Sequence, residues 1–310
     1  MKKLLPILFL ATTLHSDGII EPELLPKMDG LNFETPLVVL PPHKNTAIAV
    51  GLSTLMPGLG HLYLGDYRTA SGLMGSTSFY AGLCFLKPNS MALLTTNLYL
   101  MSCNWSYGIY ASYRDVRAFN IGEHYSYQMP NDSLADLALA PFQWSVMKKR
   151  EVWLALLVDL SVAMGLQYFL SEKSSGFSIQ KSTGDAVRPF TALPIGIGEE
   201  SLFRGFLQSF LAEMFNPWSG IALSSLAFGA AHIPNVRGLP WEERRDYYAT
   251  VLPFITLSSL YYGWVTYKNC SLKEAVALHS WYDFTIFVTS YALSKSVGIG
   301  EPFFAFSIPF

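Results

Sequence analysis

Charge is what this chain has least of. Only 14% of its 310 residues are Asp, Glu, Lys or Arg, against about 25% in an average soluble domain. The formal charge of −2 leaves no basic footprint, so nucleic acid is excluded as a partner. Cysteine is scarce as well. Cys84, Cys103 and Cys270 stand far apart in or beside apolar segments, which excludes a spaced metal-binding set and reads as small buried side chains. No H-E-x-x-H run is present, which removes the ordinary helix-borne zinc hydrolase. No apolar segment alternates with the two-residue period of a lipid-facing barrel strand.

What the chain has instead is apolar sequence, 51% hydrophobic and 15% aromatic. Apolar runs at roughly 46–64, 69–86, 91–111, 151–170, 189–212, 218–234, 249–267 and 272–293 predict helices, with glycine and other small residues recurring in them. The expected fold is all-α, a polytopic membrane protein of about eight transmembrane helices. Several runs are short for a span, which implies tilt or local thinning of the bilayer.

The expected organisation follows the same pattern. Residues 1–18, MKKLLPILFLATTLHSDG, join a basic start to a short apolar run and form a candidate signal peptide. Residues 19–45 are a polar, proline-containing extramembrane segment, and 46–111 a three-helix membrane unit containing LMPGLGHLYLGDYRTASGL. Arg114, Arg117, Lys148, Lys149 and Arg150 make 112–150 a cytoplasmic linker, with a candidate amphipathic helix at DSLADLALAPFQWSVMKKR. Residues 151–293 form the second part and 294–310 a tail. His61, beside Tyr63 and Tyr67, reads as an interfacial packing residue. Asp159 reads as a structural or channel carboxylate with no partner nearby in sequence.

The second part carries the chemistry. GEESLFRG, residues 198–205, sets two carboxylates and a guanidinium in an apolar stretch. Glu200 and Arg204 are four apart and share a helix face, whereas Glu199 is rotated by about 100° from Glu200. Glu200 and Arg204 are therefore expected to pair, leaving Glu199 for chemistry. LSSLAFGAAHIPN places Phe228 and His232 at i,i+4, with Asn235 just beyond; EAVALHSWYDFTIF places His279 and Asp283 at i,i+4. A carboxylate and two imidazoles suffice to deprotonate water and stabilise an oxyanion. The same groups, Glu199, His232 and His279, are also a candidate zinc set.

Taken together, E-E-x-x-x-R, F-x-x-x-H and H-x-x-x-D over residues 150–293 resemble the CPBP family of intramembrane proteases, which includes the type II CAAX prenyl endopeptidases. The resemblance implies a conical intramembrane cavity in a multi-pass protein of the bacterial-type inner membrane. It implies an endopeptidase that hydrolyses a membrane-associated, in some members prenylated, peptide or protein, so the lipid bilayer is an expected partner. It implies that Glu199 activates water with His232, that His279 and Asp283 lie near the oxyanion, and that Glu200, Arg204, Phe228 and Asn235 support them. The family carries a metalloprotease label beside a metal-free glutamate mechanism. The expectation here is no cofactor, with zinc on Glu199, His232 and His279 as the other option. The alternative function is a non-catalytic membrane peptide-binding or bacteriocin-immunity protein. A transporter is disfavoured by the absence of paired broken-helix repeats.

Overall fold

The computed structural model describes residues 43–86, 91–120, 123–173 and 187–297. These residues are all-α, and capping chemistry written in the sequence starts several of the helices. Asn45 accepts the amide of Ile48 and opens α1, Thr46–Leu55. Pro57 and Gly58 end the apolar run that follows, Gly58 turning at a φ of 95° that an L side chain adopts only under strain. The chain then forms α2, Leu59–Leu64, and α3, Tyr67–Phe85, whose N-cap is Asp66. The longest helix is α4, Met91–Phe119.

The segment expected to be an amphipathic helix is broken into α5, Leu134–Leu139, a 3-10 turn at Ala140–Phe142, and α6, Trp144–Met147. Ser133 and Asp136 form a reciprocal capping box at its start, and Pro141 interrupts the helical hydrogen bonding after it. Next come α7, Arg150–Lys173; a 3-10 turn, Arg188–Thr191; and α8, Ala192–Glu200. Helix α8 continues without a break into a π-helical stretch, Ser201–Gln208, and then α9, Ser209–Met214. Asn216 caps α10, Pro217–Ala231, which begins with proline where its missing N–H costs nothing. A 3-10 turn at Ile233–Val236, α11 at Trp241–Asp246, a π-helical turn at Tyr247–Val251, α12 at Leu252–Asn269 and α13 at Lys273–Val297 complete the described chain.

Two apolar clusters meet on α13. One gathers Val152 and Ala155 of α7, Phe228 of α10, Ile255 and Tyr262 of α12, and Ala277, Leu278 and Tyr282 of α13. The other joins Tyr107 and Tyr110 of α4 to Leu137, Ile197 and Val276. Helix α8 is therefore packed between α4 and α13, and its last turn, which carries Glu199 and Glu200, is buried.

The membrane expectation is corrected here. Among the described residues no helix is long and apolar enough to cross a membrane. The polytopic bundle of about eight transmembrane helices, its conical intramembrane cavity, the lipid bilayer as partner and the multi-pass inner-membrane location all lose their support with that finding. The physical reason lies in what the apolar runs carry with them. The run at 46–64 is split at Pro57 and Gly58; α4 contains Asn104, Arg114, Asp115 and Arg117; and α13 contains Glu274, His279 and Asp283. The reverse also occurs, since Trp153, Leu154, Leu157 and Val158 of α7 are exposed. The candidate signal peptide, most of the polar segment 19–45 and the last residues of the tail lie outside the described residues.

Candidate functional site

Four elements build the site. The end of α8 supplies Glu199 and Glu200, and the π-helical stretch supplies Arg204. The C-terminal end of α10 supplies Phe228 and His232, and α13 supplies His279 and Asp283. A π-helical stretch immediately after two carboxylates is a backbone irregularity of the kind that recurs at functional sites.

Glu200 is the hub. Its Oε1 accepts from Arg204 Nη1 at 3.1 Å and from His279 Nδ1 at 2.6 Å, with all three side chains fully buried. The guanidinium is held further by Ser259, whose Oγ accepts from Nη2 at 2.9 Å, and it lies over the faces of Phe228 and Tyr262 at 4.3 and 5.6 Å. The other side of His279 faces the remaining carboxylates. Its Nε2 is 3.8 Å from Glu199 Oε2 and 3.7 Å from Asp283 Oδ2.

The two imidazoles are in opposite states. Burial opposes charge on His279, but the Glu200 hydrogen bond and the negative charges of Asp283, Glu200 and Glu199 outweigh it and raise its pKa to about 9. His279 is thus an imidazolium at neutral pH. Burial pushes His232 down to about 4, against the opposing effect of its bond to the Phe228 carbonyl. That bond, 2.8 Å from Nδ1 to an oxygen that can only accept, also fixes the tautomer. The proton sits on Nδ1, and Nε2 presents a lone pair. The Phe228 ring is close to both, 4.6 Å from His232 and 6.2 Å from His279 by ring centres.

The structure therefore brings Glu199, Glu200, Arg204, Phe228, His232, His279 and Asp283 into one cluster. Asn235 is placed differently. It lies on the turn after His232 and hydrogen-bonds the Tyr247 hydroxyl, which also donates to the His232 carbonyl at 3.1 Å. Its contact with the cluster runs through that turn.

Three corrections follow from this geometry. Glu200 is bonded to His279 as closely as to its helical partner, a contact between helices that spacing within one helix does not show. The zinc set is not assembled, because no group of three or more His, Cys, Asp and Glu among the described residues is arranged to hold a metal ion. With neither spanning helices nor a metal cluster among the described residues, the expected intramembrane endopeptidase, and zinc as its other option, are not supported, and the membrane peptide-binding alternative loses the membrane on which it depended.

Sequence reasoning missed Ser258, Ser259 and Tyr262 of α12. Ser259 holds Arg204, while Ser258 and Tyr262 donate to Asp159 at 3.1 and 3.0 Å. A polar residue at 258, 259 and 262 in an otherwise apolar run, spaced to share a helix face, was the available signal.

Comparison with known proteins covers part of this architecture. Residues 186–285 match the family model described as type II CAAX prenyl endopeptidase Rce1-like. That region is related to the family. The relation spans one segment of a 310-residue chain, holding every cluster residue but none of α1 to α7. No curated protein and no solved structure matches the chain.

Proposed function

We propose that the cluster is a buried acid–base centre in which Glu199 takes a proton from a bound water or an uncharged ligand, and the imidazolium of His279 stabilises the negative charge that results. The observation that carries this reading is the charge count around His279. Three carboxylates, Glu199, Glu200 and Asp283, approach two cations, Arg204 and His279. Glu200 is committed to both cations at once. A negative charge in excess at a buried site is relieved by taking up a proton, which is what a general base does.

His232 completes the arrangement. Its Nε2 lone pair accepts a proton from Glu199 or from the ligand and returns it without carrying a resting charge. A neutral imidazole and an imidazolium in one cluster divide the roles of base and electrostatic stabiliser between two chemically identical side chains. The bilayer and the peptide substrate implied by the resemblance form no part of this reading.

A benzisoxazole tests it directly. A base removes the ring C–H proton, the N–O bond breaks, and the product carries the electron pair as a phenolate beside a nitrile. The probe is uncharged, and its product anion is what His279 would stabilise. Wild-type protein is expected to open the ring, and Glu199→Gln to lose at least about 100-fold, the lower range for general-base catalysis. Equal turnover in Glu199→Gln would remove Glu199 from the role. Binding of the probe without turnover in wild type would make the cluster a ligand site only.

A further inference from the structure

Exposure separates the site residues sharply. Glu200, Arg204, His232, His279 and Asp283 have 0% of their surface exposed, whereas Glu199 has 6%. A ligand from outside therefore meets this cluster at Glu199 first. The space it meets is a crevice between α8 and α4, with Tyr99, Ser102 and Ser106 on one side and Gly198, Glu199 and Leu202 on the other. Helix α4 lies outside the segment related to the Rce1-like family, which covers 186–285.

We infer that this face of α4 forms the ligand entrance and selects what reaches Glu199. The inference rests on the reading of Glu199 as the proton-exchanging carboxylate. The crevice is narrow because α4 and α8 approach closely at Gly198, where an added Cβ would lie 3.0 Å from the Cα of Cys103. Its walls are apolar apart from the hydroxyls of Tyr99, Ser102 and Ser106, and among the described residues Glu199 is the sole charged group lining it. An anionic ligand would meet that carboxylate with no lining cation to offset it. As it stands the crevice has room for little more than a water molecule, so what it admits is a slender, uncharged group that offers one or two polar atoms to the hydroxyls.

Entry is measured without knowing the ligand. In Glu199→Cys, modification of residue 199 by methyl methanethiosulfonate, a small neutral reagent, is followed by mass spectrometry. A bulky side chain at Ser102 is expected to slow it several-fold, and Tyr99→Ala to speed it, at unchanged circular dichroism. Should Ser102→Trp fail to fold, Tyr99→Ala alone decides. Wild-type rates in the folded variants, or a residue 199 that never reacts while the half-buried Cys84 does, would overturn the entrance. Failure here leaves the ring-opening assay on Glu199→Gln untouched, so the entrance and the acid–base centre stand or fall separately.

Discussion

Among the described residues two buried histidines, His61 and His279, lie against carboxylates, and they have opposite surroundings. In the N-terminal helices, His61 of α2 meets Asp115 of α4 at 3.1 Å, and Arg114 grips the same carboxylate at 2.6 and 3.1 Å. One carboxylate serves one guanidinium and one imidazole, with a quarter of its side chain reaching solvent. Burial raises the Asp115 carboxyl, but the hydrogen bond from His61 and the charge of Arg114 outweigh it and hold the group below the usual range. Around His279 the balance is reversed, with three carboxylates approaching two cations and Glu200, Arg204, His279 and Asp283 sealed from water. The first cluster sets one guanidinium against one carboxylate and ties α2 to α4, with His61 Nδ1 left without a partner among the described residues. In the second, three carboxylates share two cations, and on the proposed reading that surplus is what favours proton transfer.

Arg204→Met should sharpen the contrast most. It leaves Glu200 with one cation in a sealed site, and unpairing a buried ion of this kind costs about 3–5 kcal/mol. Arg114→Met leaves Asp115 partly solvated and still bonded to His61, so a loss of about 1–2 kcal/mol is expected. Urea unfolding of both variants checks the ranking. Equal losses would break the distinction between the sealed and the open pair.

Glu200→Gln is the next largest effect. His279 has a folded pKa of about 9, raised above its ordinary 6.5. The stability it contributes is fully present below 6.5 and is lost as pH rises toward 9, amounting to a few kcal/mol at about 1.4 per unit. In Glu200→Gln that alkaline loss should shrink, because the strongest raising contact is gone. Thermal melts between pH 6 and 9.5 would show it. On the acid side His232 acts oppositely. Its folded pKa of about 4 lies below 6.5, so stability falls as pH drops through that window.

The smallest change is expected from Asp159→Asn. Burial raises this carboxyl to about 6, against the hydrogen bonds from Tyr262 and Ser258. Between 3.8 and 6 the folded state holds the proton more tightly than the unfolded chain, so Asp159 makes stability decline as pH rises there. That partly offsets the trend set by His232. Replacement by Asn keeps an acceptor for Tyr262 or Ser258, so a change of about 1 kcal/mol or less is expected below 3.8, where both side chains are neutral, together with a steeper acid loss above it. An unchanged acid limb would show that Asp159 does not titrate in this window.

What was legible along the chain and what was hidden have one physical cause. Spacing along a helix is fixed by its period, so Glu200 with Arg204, and His279 with Asp283, are readable as neighbours from their positions in the chain alone. Contacts between helices depend on packing. Glu200 to His279 and Asp159 to Tyr262 join positions 79 and 103 residues apart, and nothing local announces either. The opposite protonation of His232 and His279 is set by those same contacts and is equally invisible. The all-α character was legible from the apolar runs; the membrane-spanning arrangement was not a sound extension of it. Run length counted the apolar residues and overlooked the inward-turned Asn104, Arg117, Glu274 and Asp283.

The central claim is that one site holds a protonated and a neutral histidine side by side, and nitrogen-edited NMR titration of the imidazoles measures that directly. His279 should remain an imidazolium through neutral pH and titrate at about 9, while His232 stays neutral with its proton on Nδ1 until about 4. Both rings titrating together near the ordinary value of 6.5 would contradict the account.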